Sequence, residues 1–169
     1  YSSPEVVAQA DGGGLITSGG GLSRHYSVPW WQSTDVDEYT TASYSNINKK
    51  PYPGYESGSW TSHRGYPDVA ALGRNYEVYI GGSLETLSGT SASAPVVAGM
   101  ISLANAYNIN NGMGTMGFIN PALYANPSVF NDITSGDNRC SATDWVSTGS
   151  GSYLSGTTKC AQGFYATSG

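Results

Sequence analysis

The stretch from Ser91 to Tyr107 limits the fold more than any other. Apolar Val96, Val97, Met100, Ile101, Leu103 and Ala104 recur there at helical spacing, which predicts a buried helix. Pro95 fits such a helix only within the first turn, where a missing N–H costs no hydrogen bond. Directly ahead lies Ser88-Gly89-Thr90-Ser91-Ala92-Ser93-Ala94-Pro95, which joins a strand-like segment to the helix and sets the Ser91 hydroxyl at the helix start. Unsatisfied amides and the positive end of the helix dipole stabilise negative charge there, on an attacking alkoxide or on the oxyanion that follows. Gly89 allows close backbone approach, and Ala92 and Ala94 leave room for substrate and for helix packing. A bare Gly-Thr-Ser would be an ordinary helix cap, so the weight falls on the longer phrase.

The remaining elements are short. Val69 to Leu72 and Glu77 to Ile80 are apolar runs bounded by Pro67, Gly73 and the pair Gly81-Gly82, and they read as two neighbouring buried strands. Phe118 to Tyr124 predicts a second helix, with Asn120 as cap and Pro121 in the first helical position. Residues 1 to 24 carry glycine runs and read as loop between short strands. Tyr39 to Trp60 is loop-rich, and after Asn131 no long periodic segment remains.

Composition narrows the class. A chain of 169 residues makes one domain or a large piece of one. Charged residues are 11% of it, against roughly 25% in an average soluble domain. Net charge is -5 with no basic cluster, which argues against a nucleic-acid partner. The longest apolar run, near Pro95 to Met100, is too short to span a bilayer, so no membrane partner is expected. Cys140 and Cys160 have nineteen residues between them, a spacing that favours a disulfide over free thiols and hence an oxidising compartment. His25 and His63 read as solvated surface residues.

The phrase SGTSASAP resembles the nucleophile motif of the subtilisin-like clan, and its wording is closest to the sedolisins and tripeptidyl peptidases. Three further phrases are similar to sedolisin segments: Ser18-Gly19-Gly20-Gly21-Leu22-Ser23, Arg64 to Leu72 (RGYPDVAAL), and Phe118 to Tyr124 (FINPALY). The resemblance runs from about Glu5 to Gly169 and disfavours an ordinary subtilisin. It implies that residues 1–169 are the carboxy-terminal, nucleophile-bearing portion of a serine-carboxyl peptidase domain. The implied fold is α/β, a partial domain with a subtilisin-like parallel sheet flanked by helices.

The same resemblance assigns Ser91 as nucleophile and a peptide or protein as substrate. In that family a glutamate activates the serine, an aspartate orients the glutamate, and a second aspartate helps bind the oxyanion. All three precede the SGGG phrase, so they are expected from an upstream segment or a second chain carrying the other half of the domain. Asp68 is expected to be structural. An imidazole with a pKa of about 6.5 is protonated in acid, whereas a glutamate of about 4.3 still accepts a proton, so the implied optimum is acidic. A protonated aspartate can donate to the oxyanion.

Two more phrases resemble the family's calcium site: Asn131 to Gly136, with Asp132 and Ile133 as ligands, and Gly163 to Gly169, with carbonyls at Thr167 and Gly169. One Ca2+ held by oxygen donors is implied. The compartment implied is secreted or lysosomal/vacuolar. The alternative is a non-catalytic fragment or pseudoenzyme that keeps the scaffold for binding or structure.

Overall fold

The structure is a computed structural model and describes residues 5–10, 16–43, 62–142, 145–148, 151–154, 158–160 and 163–166. In chain order the elements are β1 (Gly21–Ser27), α1 (Ser33–Ser43), β2 (His63–Tyr66), β3 (Tyr76–Ile80), β4 (Ser83–Leu87), α2 (Thr90–Asn110) and α3 (Asn120–Tyr124). The short strands β5 (Cys140–Ala142), β6 (Trp145–Thr148), β7 (Gly151–Leu154) and β8 (Thr158–Cys160) follow. The chain is thus a mixed α/β partial domain.

Every strand ladder among the described residues is an antiparallel pair: β1 with β2, β3 with β4, β5 with β8, and β6 with β7. The expected parallel sheet is therefore not among them. Val69 to Leu72 forms no strand, because no ladder partner lies alongside it, and it does not pair with Glu77 to Ile80. The latter run is a strand but not a buried one. Its partner β4 joins it through Gly81 and Gly82, both at positive φ, as a two-residue hairpin turn demands. Tyr79 and Ile80 lie open to solvent.

Helix α1 corrects the loop reading that began at Tyr39. Gln32 N–H donates to the Pro29 carbonyl and Val36 N–H to the Gln32 carbonyl, which starts the helix directly after the Pro29-Trp30 turn. Asp35 in the first turn suits the helix dipole. The helix turns Val36 inward, and Tyr39 packs beside it. The rest of the expected loop, 44–60, lies outside the described residues. In α3, Asn120 is already helical, Ile119 occupies the cap position, and no side chain caps the helix.

The core is small. Leu22 of β1, Val36 of α1 and Phe164 cluster together, with Val28 and Tyr39 against them. Tyr39 stacks on Phe164 and donates its hydroxyl proton to the Tyr165 carbonyl at 2.9 Å. The segment 163–166 is held to 136–138 by Asn138 N–H to the Phe164 carbonyl, Ala166 N–H to the Gly136 carbonyl, and Phe164 N–H to Asn138 Oδ1. Cys140 is buried and disulfide-bonded. The only other cysteine in the chain is Cys160, directly opposite it in the β5–β8 register, which bears out the disulfide reading. Closing a loop of this size contributes on the order of 3 kcal/mol in the chain-entropy model.

Asp137 beside this staple is buried and ion-paired with Arg139 at 2.9 Å, and it also accepts the Arg139 backbone N–H. The Arg139 hydrogen bond is the main reason its carboxyl titrates below the ordinary 3.8, with burial opposing. A depressed carboxylate pKa stabilises the fold above the unfolded value, and that contribution disappears as pH falls through the folded one. Asp137→Asn should therefore cost about 1–3 kcal/mol at pH 6, with the difference from the parent shrinking in strong acid. Denaturant melts of both proteins across pH 2–6 check this.

Candidate active site

Helix α2 runs 21 residues, about 31 Å. Its strand-to-helix entry matches the sequence reading: β4 ends at Leu87, Gly89 occupies the cap position and the helix begins at Thr90. The helix is held at its start by the segment that failed to become a strand. Gly89 N–H donates to the Gly73 carbonyl at 2.7 Å, and Ser93 Oγ donates to the carbonyls of Leu72 at 2.8 Å and Ala71 at 3.3 Å. Ser88 Oγ accepts the N–H of Asn75 at 3.1 Å.

Two of the three serines in the motif are thus engaged in holding the turn. Ser91 is the third. It is exposed, and among the described residues its hydroxyl makes no hydrogen bond. No acidic residue lies in the first turn of α2, so the helix itself sets no negative charge against the positive end of its dipole at Ser91. That environment favours an anion, and among the described residues no acceptor is hydrogen-bonded to the Ser91 hydroxyl.

Pro95 differs from expectation. With α2 beginning at Thr90, Pro95 falls in the second turn, where its missing N–H would have bonded the carbonyl of Ser91. The proline therefore withholds the helical donor from the Ser91 carbonyl, while the Ser91 N–H is one of the first-turn amides that have no helical acceptor. The close backbone approach at Gly89 is its amide bond to Gly73, and the side where a Cβ would stand is open, with nothing nearer than Ser91 N at 3.9 Å.

A groove of about 700 Å³ lies alongside, lined in part by Gly19–Gly21, Tyr66, Pro67, Thr90 and Ser93. Ser91 does not line it, although its neighbours Thr90 and Ser93 do. One wall is fixed by a polar network that sequence reasoning missed. Arg64 pairs with both oxygens of Asp68 at 2.5 and 2.7 Å, and Tyr124 Oη donates to Asp68 Oδ1 at 2.8 Å. Gln32, 2% exposed, accepts the Gly65 N–H at 2.8 Å and donates to the Gly65 carbonyl at 2.9 Å and to Tyr124 Oη. Burial pushes the Tyr124 hydroxyl up to about 12, opposed by the Gln32 hydrogen bond and reinforced by Asp68. Asp68 is thus engaged within the scaffold, as expected. No signal in the sequence marked Gln32.

For the expected metal ligands, Asp132 is exposed and Ile133 half-buried, while Thr167 and Gly169 lie outside the described residues. Among the described residues no group of three or more His, Cys, Asp and Glu is assembled for a metal ion. The described donors, one carboxylate and one backbone carbonyl, are hard oxygen ligands that fit calcium chemically. His25 is exposed and His63 half-buried. No described helix is long and apolar enough to cross a membrane.

These elements define a mixed α/β partial domain that presents one unengaged serine at a helix start. No family model matches the chain. Aorsin of Aspergillus oryzae is 42% identical over 160 residues, 89% of this chain and 24% of the relative. Physarolisin of Physarum polycephalum is 41% identical over 130 residues, 75% of this chain and 21% of the relative. A tripeptidyl-peptidase of Arthroderma otae is 39% identical over 141 residues, 79% and 20%. Over most of its length the chain is thus similar to peptidases of the sedolisin family. It spans between a fifth and a quarter of the length of these relatives.

The two serines make opposite predictions for stability. Ser93→Ala should cost about 1 kcal/mol, because it strips the Leu72 and Ala71 carbonyls of their donor, whereas Ser91→Ala should fall within about 0.5 kcal/mol of the parent. Thermal melts of the two variants read this directly.

Proposed function

We propose that this chain supplies the nucleophile of an acid-acting serine-carboxyl peptidase. Ser91 Oγ attacks the scissile carbonyl of a peptide or protein substrate, the amine leaves, and water hydrolyses the resulting acyl-enzyme. The serine proton passes to a glutamate, oriented by an aspartate, and a second, protonated aspartate donates to the oxyanion. All three carboxylates come from an upstream segment or a second chain. Cleavage is internal or releases tripeptides.

The observation that carries this reading is the division of labour among the motif's serine hydroxyls: those of Ser88 and Ser93 are committed to hydrogen bonds, and that of Ser91 has none among the described residues. Similarity to sedolisin-family peptidases over most of the chain supports it. The apolar surface of α2 supports the missing half. None of its residues is buried, and Met100, Leu103, Tyr107 and Ile109 are each more than half exposed. In this proposal the upstream half covers α2 and the β3–β4 hairpin and supplies the strands of a parallel sheet. The product acts in a secreted or lysosomal/vacuolar compartment, in keeping with the disulfide at Cys140.

A second reading is a non-catalytic fragment, favoured by one fact: no carboxylate bonds Ser91 among the described residues. Without a base its hydroxyl is a poor nucleophile. Peptide hydrolysis by the assembled protein separates the two. Turnover should peak in acid and fall at least about a thousandfold in Ser91→Ala. Turnover that survives the substitution, or none in the parent at any pH, rejects the peptidase reading.

One Ca2+ would be held by Asp132, Ile133, Thr167 and Gly169, where it would tie the segment after Asn131 to the chain end. Ala166 N–H already meets the Gly136 carbonyl, which brings the two phrases side by side. A chelator should lower the thermal midpoint by several degrees. A melt indifferent to chelation contradicts the calcium assignment.

A further inference from the structure

Between β2 and the carbonyls that hold α2, the chain makes the turn Tyr66-Pro67, which lines the groove. The adjoining chain, which enters β1 opposite Tyr66, packs so closely that a Cβ on Gly20 would sit 3.3 Å from the Tyr66 carbonyl and 3.4 Å from Pro67 Cδ. Shape there is therefore sensitive to small shifts of the turn. The turn is fixed from both sides. Before it, both backbone groups of Gly65 bond the side-chain amide of Gln32. After it, the Asp68 carboxylate is held by Arg64 and by the Tyr124 hydroxyl.

The two holds are one network, because Gln32 Nε2 donates to Tyr124 Oη and Tyr124 Oη donates to Asp68. Donation runs one way, from amide to phenol to carboxylate, and each bond polarises the next. Tyr124 sits at the junction and can play this part only while it keeps its proton.

We infer that Tyr124, through Gln32 and Asp68, is a positioning residue that fixes the Tyr66-Pro67 wall of the substrate groove. The inference rests on the peptidase reading and adds a residue that the nucleophile motif does not contain. A wall of this kind contacts substrate equally before and during reaction, so loosening it weakens binding and leaves the chemical step alone.

The test uses the active peptidase that contains this chain. Tyr124→Phe keeps the ring and removes the hydroxyl. It should raise KM roughly tenfold with kcat within about twofold, counted per active site. Gln32→Glu adds a second readout. A protonated carboxyl still donates one hydrogen bond, an ionised one none, so its KM should climb roughly tenfold, relative to the parent, as pH rises through its ionisation. An unchanged KM in Tyr124→Phe, or a fall in kcat with KM unmoved, overturns the inference. Should Tyr124→Phe fail to fold, Gln32→Glu decides alone, and a pH-independent KM ratio overturns it. A Ser91→Ala control keeps the two ideas apart: turnover surviving in that variant rejects the nucleophile while the KM comparison stands.

Discussion

The hydrogen bond from Ser93 to the Leu72 carbonyl, together with that from the Gly89 amide to the Gly73 carbonyl, fixes where α2 begins. Helix starts fray easily, because four amides there lack helical partners. Here the turn is tied to an extended segment that has no ladder of its own. That tie orients the dipole, leaves the Ser91 hydroxyl without a hydrogen bond among the described residues, and brings Thr90 and Ser93 to the groove. Pro95 adds to the effect by withholding the donor that the Ser91 carbonyl would otherwise use.

A helix that presents chemistry at one end must be held along its length, and in this chain it is not. Α2 is apolar on all sides yet buries no residue, a pattern characteristic of a helix enclosed on every face. The hairpin before it shows the same imbalance, with Tyr79, Ile80, Leu84 and Leu87 all about half exposed or more. The compact cluster of Leu22, Val36 and Phe164 lies in another part of the chain and leaves these faces bare. Exposed apolar surface of this extent marks an interaction site, and the proposed upstream half is the partner that would satisfy it.

Legibility followed the range of the interactions involved. The long helix, the short helix after it, the β3 strand and the disulfide were readable because each rests on local spacing or on a boundary signal such as Gly81-Gly82, whereas the hairpin that those glycines form with β4 was not read. Burial was not readable: Val69 to Leu72 and Glu77 to Ile80 read as core runs, yet Leu72, Tyr79 and Ile80 are more than half exposed, because burial depends on contacts that local composition does not specify. Helix α1 was missed because Val36 and Tyr39 are its main inward apolar groups amid polar residues, too few for a period to stand out. At the site, Ser91 was marked by its phrase. Gln32 and Tyr124 were not, since 92 residues separate the two groups that meet. The roles of Ser93 and Pro95 depend on where the helix starts, which a one-residue shift changes.

Trapping the covalent intermediate addresses the nucleophile itself. The assembled protein would be mixed with an activated ester substrate at acidic pH, quenched in strong acid within its first turnover, digested, and mapped by mass spectrometry. The account predicts one acyl adduct, on the peptide spanning residues 88–95 and localised to Ser91. An adduct on Ser93 or elsewhere, or hydrolysis with a burst of product and no modified serine in that peptide, would contradict it.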